Sequence, residues 1–262
     1  MKRYLDVALL SLQISIKKTR AYRLEMFMML LHFLFALSFI TFLWTALSDI
    51  VELHDLWNRE ELYVYSSLVI FADGVGELFF PLYSLPRAIV KGDLNMYLIR
   101  PINALYLYIL VNLNIIAVVE QLIISSLSFL FIVRFYNLSV HLDHIPLAFI
   151  MIVIGAISYH LYYAAFSLLT FWMGDISIAR DAMYGISDLK KYPVDLFNVW
   201  VRRTLTYVIP LSLLVYYPTC ILIRNDHLHW SVVVTYALVL LFGCIVVAFV
   251  WIAGLKRYEA NS

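Results

Sequence analysis

Six long apolar runs dominate the chain, at roughly 24–47, 62–84, 105–133, 146–173, 204–223 and 230–254. A helix needs about 20 apolar residues to cross about 30 Å of hydrocarbon, so each run predicts one membrane-spanning helix. The third and fourth runs exceed that minimum and predict tilt or a bend. Ahead of them, Leu5, Leu9, Leu12 and Ile16 recur at helical spacing, with Asp6, Gln13 and Lys17 on another face. This pattern predicts an amphipathic helix over 1–23, lying in the membrane interface on the cytoplasmic side. Reading it as part of the first span would carry Lys17, Lys18, Arg20 and Arg23 into hydrocarbon. The region 174–203 is too polar to span and is expected to be a cytoplasmic amphipathic connection. The expected fold is therefore all-α: a six-span transmembrane domain over 24–262, preceded by the interface helix.

Aromatic and basic residues add an orientation. Trp44, Trp57, Tyr63, Tyr106, Trp172, Tyr217, Trp230 and Trp251 lie near the ends of runs, where interfacial anchors belong. With the N-terminus inside, sixteen of the 19 Lys and Arg residues face the cytoplasm, leaving Arg59, Arg134 and Arg224 outside. The positive-inside rule then predicts that both termini are cytoplasmic, and the loop after the second run with them. Composition agrees: 63% of residues are hydrophobic and 14% charged, whereas soluble domains are nearer half apolar and a quarter charged. Cys220 and Cys244 both lie inside apolar runs and outline no metal pair or disulfide framework. No cleavable signal peptide is evident at the N-terminus.

The cytoplasmic loop carries the stretch KGDLNMYLIRP, Lys91 to Pro101. Gly92 can break the preceding helix. Asp93 suits a helix N-terminus and Arg100 a C-terminus. Pro101 opposes continuation. About two turns, roughly 12 Å, are predicted, with Leu94, Tyr97 and Leu98 on one face. A short helix with an apolar face just outside the membrane fits a groove on a partner protein. A plain turn between spans is the simpler alternative.

The longer stretch IVKGDLNMYLIRPINALY resembles the segment between the second and third spans of ABC-2 type transporter permeases. The resemblance continues in order through Phe171–Trp172, Tyr192–Pro193, Val208–Pro210, Tyr216–Pro218 and Gly254–Glu259. Its one departure is the polar GDISIARDAMYGISDLKKYP ahead of the fifth run. The resemblance implies the membrane half of an ATP-driven exporter with a type V exporter-like architecture, in a bacterial cytoplasmic membrane. It implies a coupling helix at 91–101 carried by Gly92, Asp93, Leu94, Leu98, Arg100 and Pro101. It also implies two cytoplasmic ABC ATPases and a second permease, identical or similar, as partners. Besides membrane lipid, no further partner is expected, and no nucleic acid.

The chain has no GxxxxGK[ST] loop, so ATP and Mg are expected on the partner ATPase and no cofactor on this chain. It also lacks HExxH, GxSxG and CxxC, so no covalent catalysis is expected. Asp73, Glu77 and Glu120 fall inside spans, Asp73 and Glu77 four residues apart on one helix face. With no Lys or Arg inside the six runs, these acids are expected to be protonated, wet or paired in trans. Together with Asn112 and Asn114 they are candidates for a polar translocation path meeting a cationic or amphipathic substrate. The alternative is interhelical hydrogen bonding. Gly74 and Gly76 are candidates for a close helix approach. His54, His141, His144, His227 and His229 fall on outer loops, where solvated side chains are the simpler reading than a metal site. Asp49, Glu52, Asp55, Glu60 and Glu61 make the first outer loop acidic. Three functions compete: an exporter permease for a large amphipathic substrate (drug, peptide, lipid or glycolipid), a membrane enzyme using the intramembrane carboxylates, and a scaffold or immunity protein that transports nothing.

Overall fold

The chain folds into long helices whose ends meet in two layers. A computed structural model describes residues 6–7, 9–10, 13–14, 17, 23–48, 56–138, 140–224 and 229–258. The expected interface helix over 1–23 lies largely outside the described residues, as do Asp49, His54, Glu52, Asp55 and His227. Among the described residues there is no strand. The helices are α1 (Arg23–Ser48), α2 (Arg59–Gly76), α3 (Pro81–Val90), α4 (Asn95–Leu98), α5 (Ala104–Asn112) and α6 (Ile115–Phe135). They continue with α7 (Ile145–Ser167), α8 (Thr170–Met173), α9 (Ser177–Ser187), α10 (Val199–Arg203), α11 (Tyr216–Arg224) and α12 (Trp230–Arg257).

Among the described residues, four helical rods are long and apolar enough to cross a membrane: Arg59–Val90, Ala117–Phe135, Ile145–Met173 and Trp230–Arg257. They match the second, third, fourth and sixth runs. The first run is a 26-residue helix, α1. Its Thr45 hydroxyl meets the Tyr63 hydroxyl at 2.8 Å, so α1 runs antiparallel to α2. That contact, with Tyr136 on Tyr63 and Arg224 beside Glu61, defines an upper end. The lower end is a separate apolar cluster of Leu85, Ala88, Ala104, Phe171 and Trp251.

Local chemistry sets the breaks. Pro81 has no N–H to give the Glu77 carbonyl, so the Phe80 N–H takes it at 3.2 Å. The result is a 3₁₀ turn over Glu77–Phe79 between α2 and α3. The third run, expected as one long helix, is broken at Leu113, which is extended (ψ 128°). Asn114 restarts it as the cap of α6, accepting from the Ala117 N–H at 3.3 Å. The glycines expected to admit a neighbour do so. A Cβ on Gly74 would lie 3.0 Å from Gln121 Cγ, and one on Gly76 would lie 3.2 Å from His160 Nε2.

The fifth span departs most from expectation. Residues 204–223 are not one helix: a π-turn over Thr204–Val208 leads into irregular chain and then α11. The irregular part is buried, with Leu211, Ser212, Leu213, Leu214 and Val215 at 3% exposure or less. Non-helical backbone survives at membrane depth only where protein satisfies its polar groups. Here the Ser212 N–H donates to the Leu205 carbonyl at 3.0 Å and the Leu214 N–H to the Leu211 carbonyl at 3.1 Å. The Tyr236 hydroxyl donates to the Leu213 carbonyl. This seat exists because α7 carries Gly155 there: a Cβ would come 2.4 Å from the Leu213 carbonyl oxygen. Gly155→Ala must therefore push backbone, and is expected to cost about 1–3 kcal/mol, the range for overpacking. A fall in the melting temperature of the detergent-purified protein checks this, and an unchanged value contradicts it.

The polar region 174–203 is likewise no plain surface connection. It folds back into the bundle through α9 and the 3₁₀ turn Asp188–Lys191. The Tyr65 hydroxyl donates to the Lys190 and Tyr192 carbonyls at 2.8 and 3.1 Å. Tyr192 packs edge-on against Trp44, and Val194 joins the same core cluster as Trp57. Pro193 forces Tyr192 extended and ends the turn. The Asn198 side chain then caps α10, accepting from the Trp200 and Val201 N–H groups. Lys190 is thus held inside the bundle beside Asp73 instead of lying on a surface connection.

Candidate functional site

Two features of the bundle can carry function: a charge pair inside it and a knob at its lower end. Lys190 Nζ meets Asp73 Oδ1 at 2.6 Å, with the side chains 14% and 41% exposed respectively. Asp73 is about 21 Å below Arg59 along α2, at 1.5 Å per residue. The expectation that the intramembrane acids lack a partner within the chain is therefore corrected for Asp73. Its cation comes from a segment that sequence alone assigned to the cytoplasm. An ion buried alone is far costlier than a pair, so this contact pins the 188–192 segment against α2.

Around the pair lies a cluster of aromatic residues with polar atoms. The Tyr83 ring contacts those of Tyr163 (4.2 Å), Phe80 (5.9 Å) and Tyr184 (5.8 Å). His160 is 5% exposed and stacks on Phe79 at 4.6 Å with an interplanar angle of 13°. Its Nδ1 makes no hydrogen bond among the described residues. Sequence reasoning passed over His160, the tyrosines and Lys190. The run SYHLYYAA, with four polar-tipped rings inside an apolar span, was the available signal for His160, Tyr159 and Tyr163. Nothing local marked Lys190.

The other path candidates are dispersed. Glu77 follows Asp73 by one turn and opens the 3₁₀ turn. The Asn112 amide donates to the Tyr97 hydroxyl at 3.2 Å and the Tyr108 carbonyl at 2.9 Å, tying α5 to the knob. Asn114 is spent on its cap. Glu120 has one buried carboxylate oxygen with no hydrogen-bond partner among the described residues. Glu120 is the neighbour of Gln121, whose side chain packs against Gly74, whereas Asn112 and Asn114 are spent on local hydrogen bonds. A cavity of about 260 Å³ at the upper end, lined by Asn58, Glu61, Asn137 and Ile223, is distant from the pair.

The knob follows Gly92, whose φ of +81° terminates α3. The helix that follows is a single turn, α4, extended by turn hydrogen bonds as far as Arg100. Its N-cap is Leu94, with no side-chain bond, so Asp93 does not cap it as expected. Leu94 also faces inward: it is fully buried among Leu85, Ala88 and Trp251. Tyr97 is half-buried, edge-on to Tyr108 at 5.1 Å. The apolar surface turned outward is instead Met96, Leu98 and Ile99, the last 79% exposed, flanked by exposed Asp93 and Arg100. Leu94 and Tyr97 are thus anchors of the knob rather than its face.

Comparison with known sequences decides the family. The sequence model of the ABC-2 family transporter proteins matches residues 24–262. The chain belongs to that family. No curated protein and no solved structure matches it. This ABC-2 chain is accordingly a multi-pass membrane protein and the permease component of an ABC transporter, a class that works with an ABC ATPase. The match spans every element from α1 to α12, including the folded-back region 174–224. Among the described residues of the permease, no three His, Cys, Asp or Glu side chains converge as a metal site. His141 and His144 serve the upper packing: the His141 N–H donates to the Leu222 carbonyl at 3.1 Å, and His144 Nδ1 lies 3.3 Å from the Ile221 carbonyl.

Proposed function

We propose that this ABC-2 permease exports a large amphipathic substrate, with ATP and Mg bound by a separate cytoplasmic ATPase. The observation that carries the reading is the knob: an apolar tip of Met96, Leu98 and Ile99 on a base fastened by buried Leu94. A tip of this kind can take a push only if its base is stiff, and the base joins α3, α5, α8 and α12 in one cluster. Gly92, Asp93, Leu94, Tyr97, Leu98, Arg100 and Pro101 form the coupling element in this reading. Two ATPases press on two such elements, one from each permease of a homodimer or of a pair of similar chains. Closure of the ATPase pair rocks each lower cluster as a body. The lower end faces the cytoplasm in this reading, since Arg87, Lys91, Arg100, Lys256 and Arg257 lie along it while Arg59, Arg134 and Arg224 lie at the other end. The apolar interior suits an amphipathic cargo better than a small ion. The carboxylate-enzyme alternative loses Asp73 as one of its three candidate acids, since Lys190 holds it.

Mild-detergent purification of a tagged chain from its native bacterium is the direct test. A soluble ATPase carrying a phosphate-binding glycine loop should come with it in near-equal amount. A well-folded permease that brings no such chain, even under cross-linking, refutes the reading.

A further inference from the structure

The polar segment that follows α8 climbs the bundle. The Tyr184 ring lies 5.8 Å from that of Tyr83, Lys190 meets Asp73 at 2.6 Å, and the Tyr192 carbonyl accepts from the Tyr65 hydroxyl at 3.1 Å. These partners step upward along the rod Arg59–Val90, from Tyr83 to Asp73 to Tyr65. Asp195 then comes next to the Tyr216 hydroxyl, and the Tyr216 ring lies 6.2 Å from that of Trp57, just ahead of α2. Arg202 pairs with Asp195 at 2.9 Å, so α10 sits at the end of the bundle opposite the knob. From there the chain turns back down. The Leu205 carbonyl accepts from the Ser212 N–H, and the neighbouring Leu213 packs on Gly155, about 15 Å into α7 at 1.5 Å per residue.

Residues 199–208, which are α10 and the π-turn, are thus a helical arm descending from the membrane boundary. Leu205 and Thr206 face the bundle and are buried. On the opposite face Val199, Trp200, Tyr207 and Val208 are each more than half exposed. Arg203 stands 5.8 Å over the Trp200 ring. Arg202 has its carboxylate, whereas Arg203 has no ion pair among the described residues, and the arm itself contains no acid.

We infer that the 199–208 arm binds an anionic phospholipid of the leaflet opposite the knob. Arg203 takes the headgroup phosphate, Trp200 sits at the headgroup boundary, and Tyr207 and Val208 lie along the acyl chains. The vertical order selects this occupant: a free cation at the boundary, with uncovered apolar side chains below it at membrane depth. A guanidinium stacked on a ring by one face keeps its N–H edge for a phosphate, and tryptophan favours the headgroup level. A soluble phosphate would leave Tyr207 and Val208 uncovered. The inference concerns how the permease is seated in lipid and holds for any cargo.

The full-length permease, with whatever ATPase accompanies it, is purified in mild detergent and titrated with phosphatidylglycerol or phosphatidylcholine, bound lipid being counted by native mass spectrometry. Phosphatidylglycerol should bind more tightly. Arg203→Gln should cut its affinity about fivefold, the weight of one cation at an anionic surface, and leave phosphatidylcholine binding and the melting temperature unchanged. Arg203→Lys should keep most of the affinity. Tyr207→Ala should weaken both lipids alike, and reads the arm even if the Arg203 variants misfold. Cysteines introduced as Leu98→Cys and Arg203→Cys should label from opposite faces of sealed vesicles. Equal binding of the two lipids, undiminished phosphatidylglycerol binding in Arg203→Gln, no effect of Tyr207→Ala, or labelling of both cysteines from one face overturns the inference. Displacement of phosphatidylglycerol by soluble glycerol phosphate would make this a free-anion site, and disulfide formation between two Trp200→Cys permeases would make it a subunit interface; either result overturns it as well.

Discussion

Ile99→Asp is expected to weaken ATPase binding about a hundredfold, while Leu94→Ala should act through folding. Ile99 is the most exposed apolar side chain of the knob, 79% exposed among the described residues. In a partner groove it would be a central apolar anchor, the kind of residue whose loss dominates an interface. A carboxylate there must be desolvated without a partner, and a cost of about 3 kcal/mol corresponds to roughly a hundredfold in Kd. The variant should still insert, fold and melt like wild type, because residue 99 touches no core. Leu94 is fully buried, so its truncation should lower the melting temperature, at about 2–5 kcal/mol for a core leucine. Co-purification yield and melting temperature measured on both variants separate the roles. Unaltered ATPase recovery with Ile99→Asp refutes the knob as the contact.

Lys190→Met should be among the most destabilising single changes in the chain, and Asp73→Asn in the same protein should reverse most of the damage. Removing one member of a buried pair strands the other, at about 3–5 kcal/mol. Asp73 is 41% exposed, so the low end of that range applies. For a domain of this size about 3 kcal/mol corresponds to roughly 6–12 °C in Tm. The double variant leaves no orphaned ion, and the four proteins form a cycle that isolates the coupling. The single variant should also make the 188–191 turn more accessible to protease, since it loses the side-chain contact that ties that turn to Asp73. Equal melting temperatures for Lys190→Met and wild type would mean that the contact adds nothing to the fold.

What could be read without coordinates follows from local repetition. The first four runs and the sixth announced long helices because twenty or so consecutive apolar residues have few other ways to satisfy their backbone in lipid. Gly92 and Pro101 bracketed the knob, and the glycine does adopt a left-handed conformation. Gly74 and Gly76 were legible as close-approach positions for the same reason: only a missing side chain lets a second helix in so far. The site was less legible. Asp73 stood out in the sequence as an acid within an apolar run, but its partner lies more than a hundred residues away in a segment whose polarity resembled a loop. Hydropathy averages a window, so it cannot distinguish a lysine in water from one that closes a pair inside a bundle.

The amino-acid order by itself determined the all-helical membrane character of this permease, the lengths of most of its rods and the place of its knob. Each of these depends on residues that are neighbours along the chain, through helical periodicity, the reach of a span and the steric rules of glycine and proline. Tertiary structure alone decided which way Leu94 and Ile99 point, that 204–223 folds as a π-turn, a buried irregular stretch and a short helix instead of one span, and that Lys190 pairs with Asp73. Those outcomes depend on which surfaces of distant helices face each other, and packing complementarity between remote segments leaves no periodic trace in the sequence.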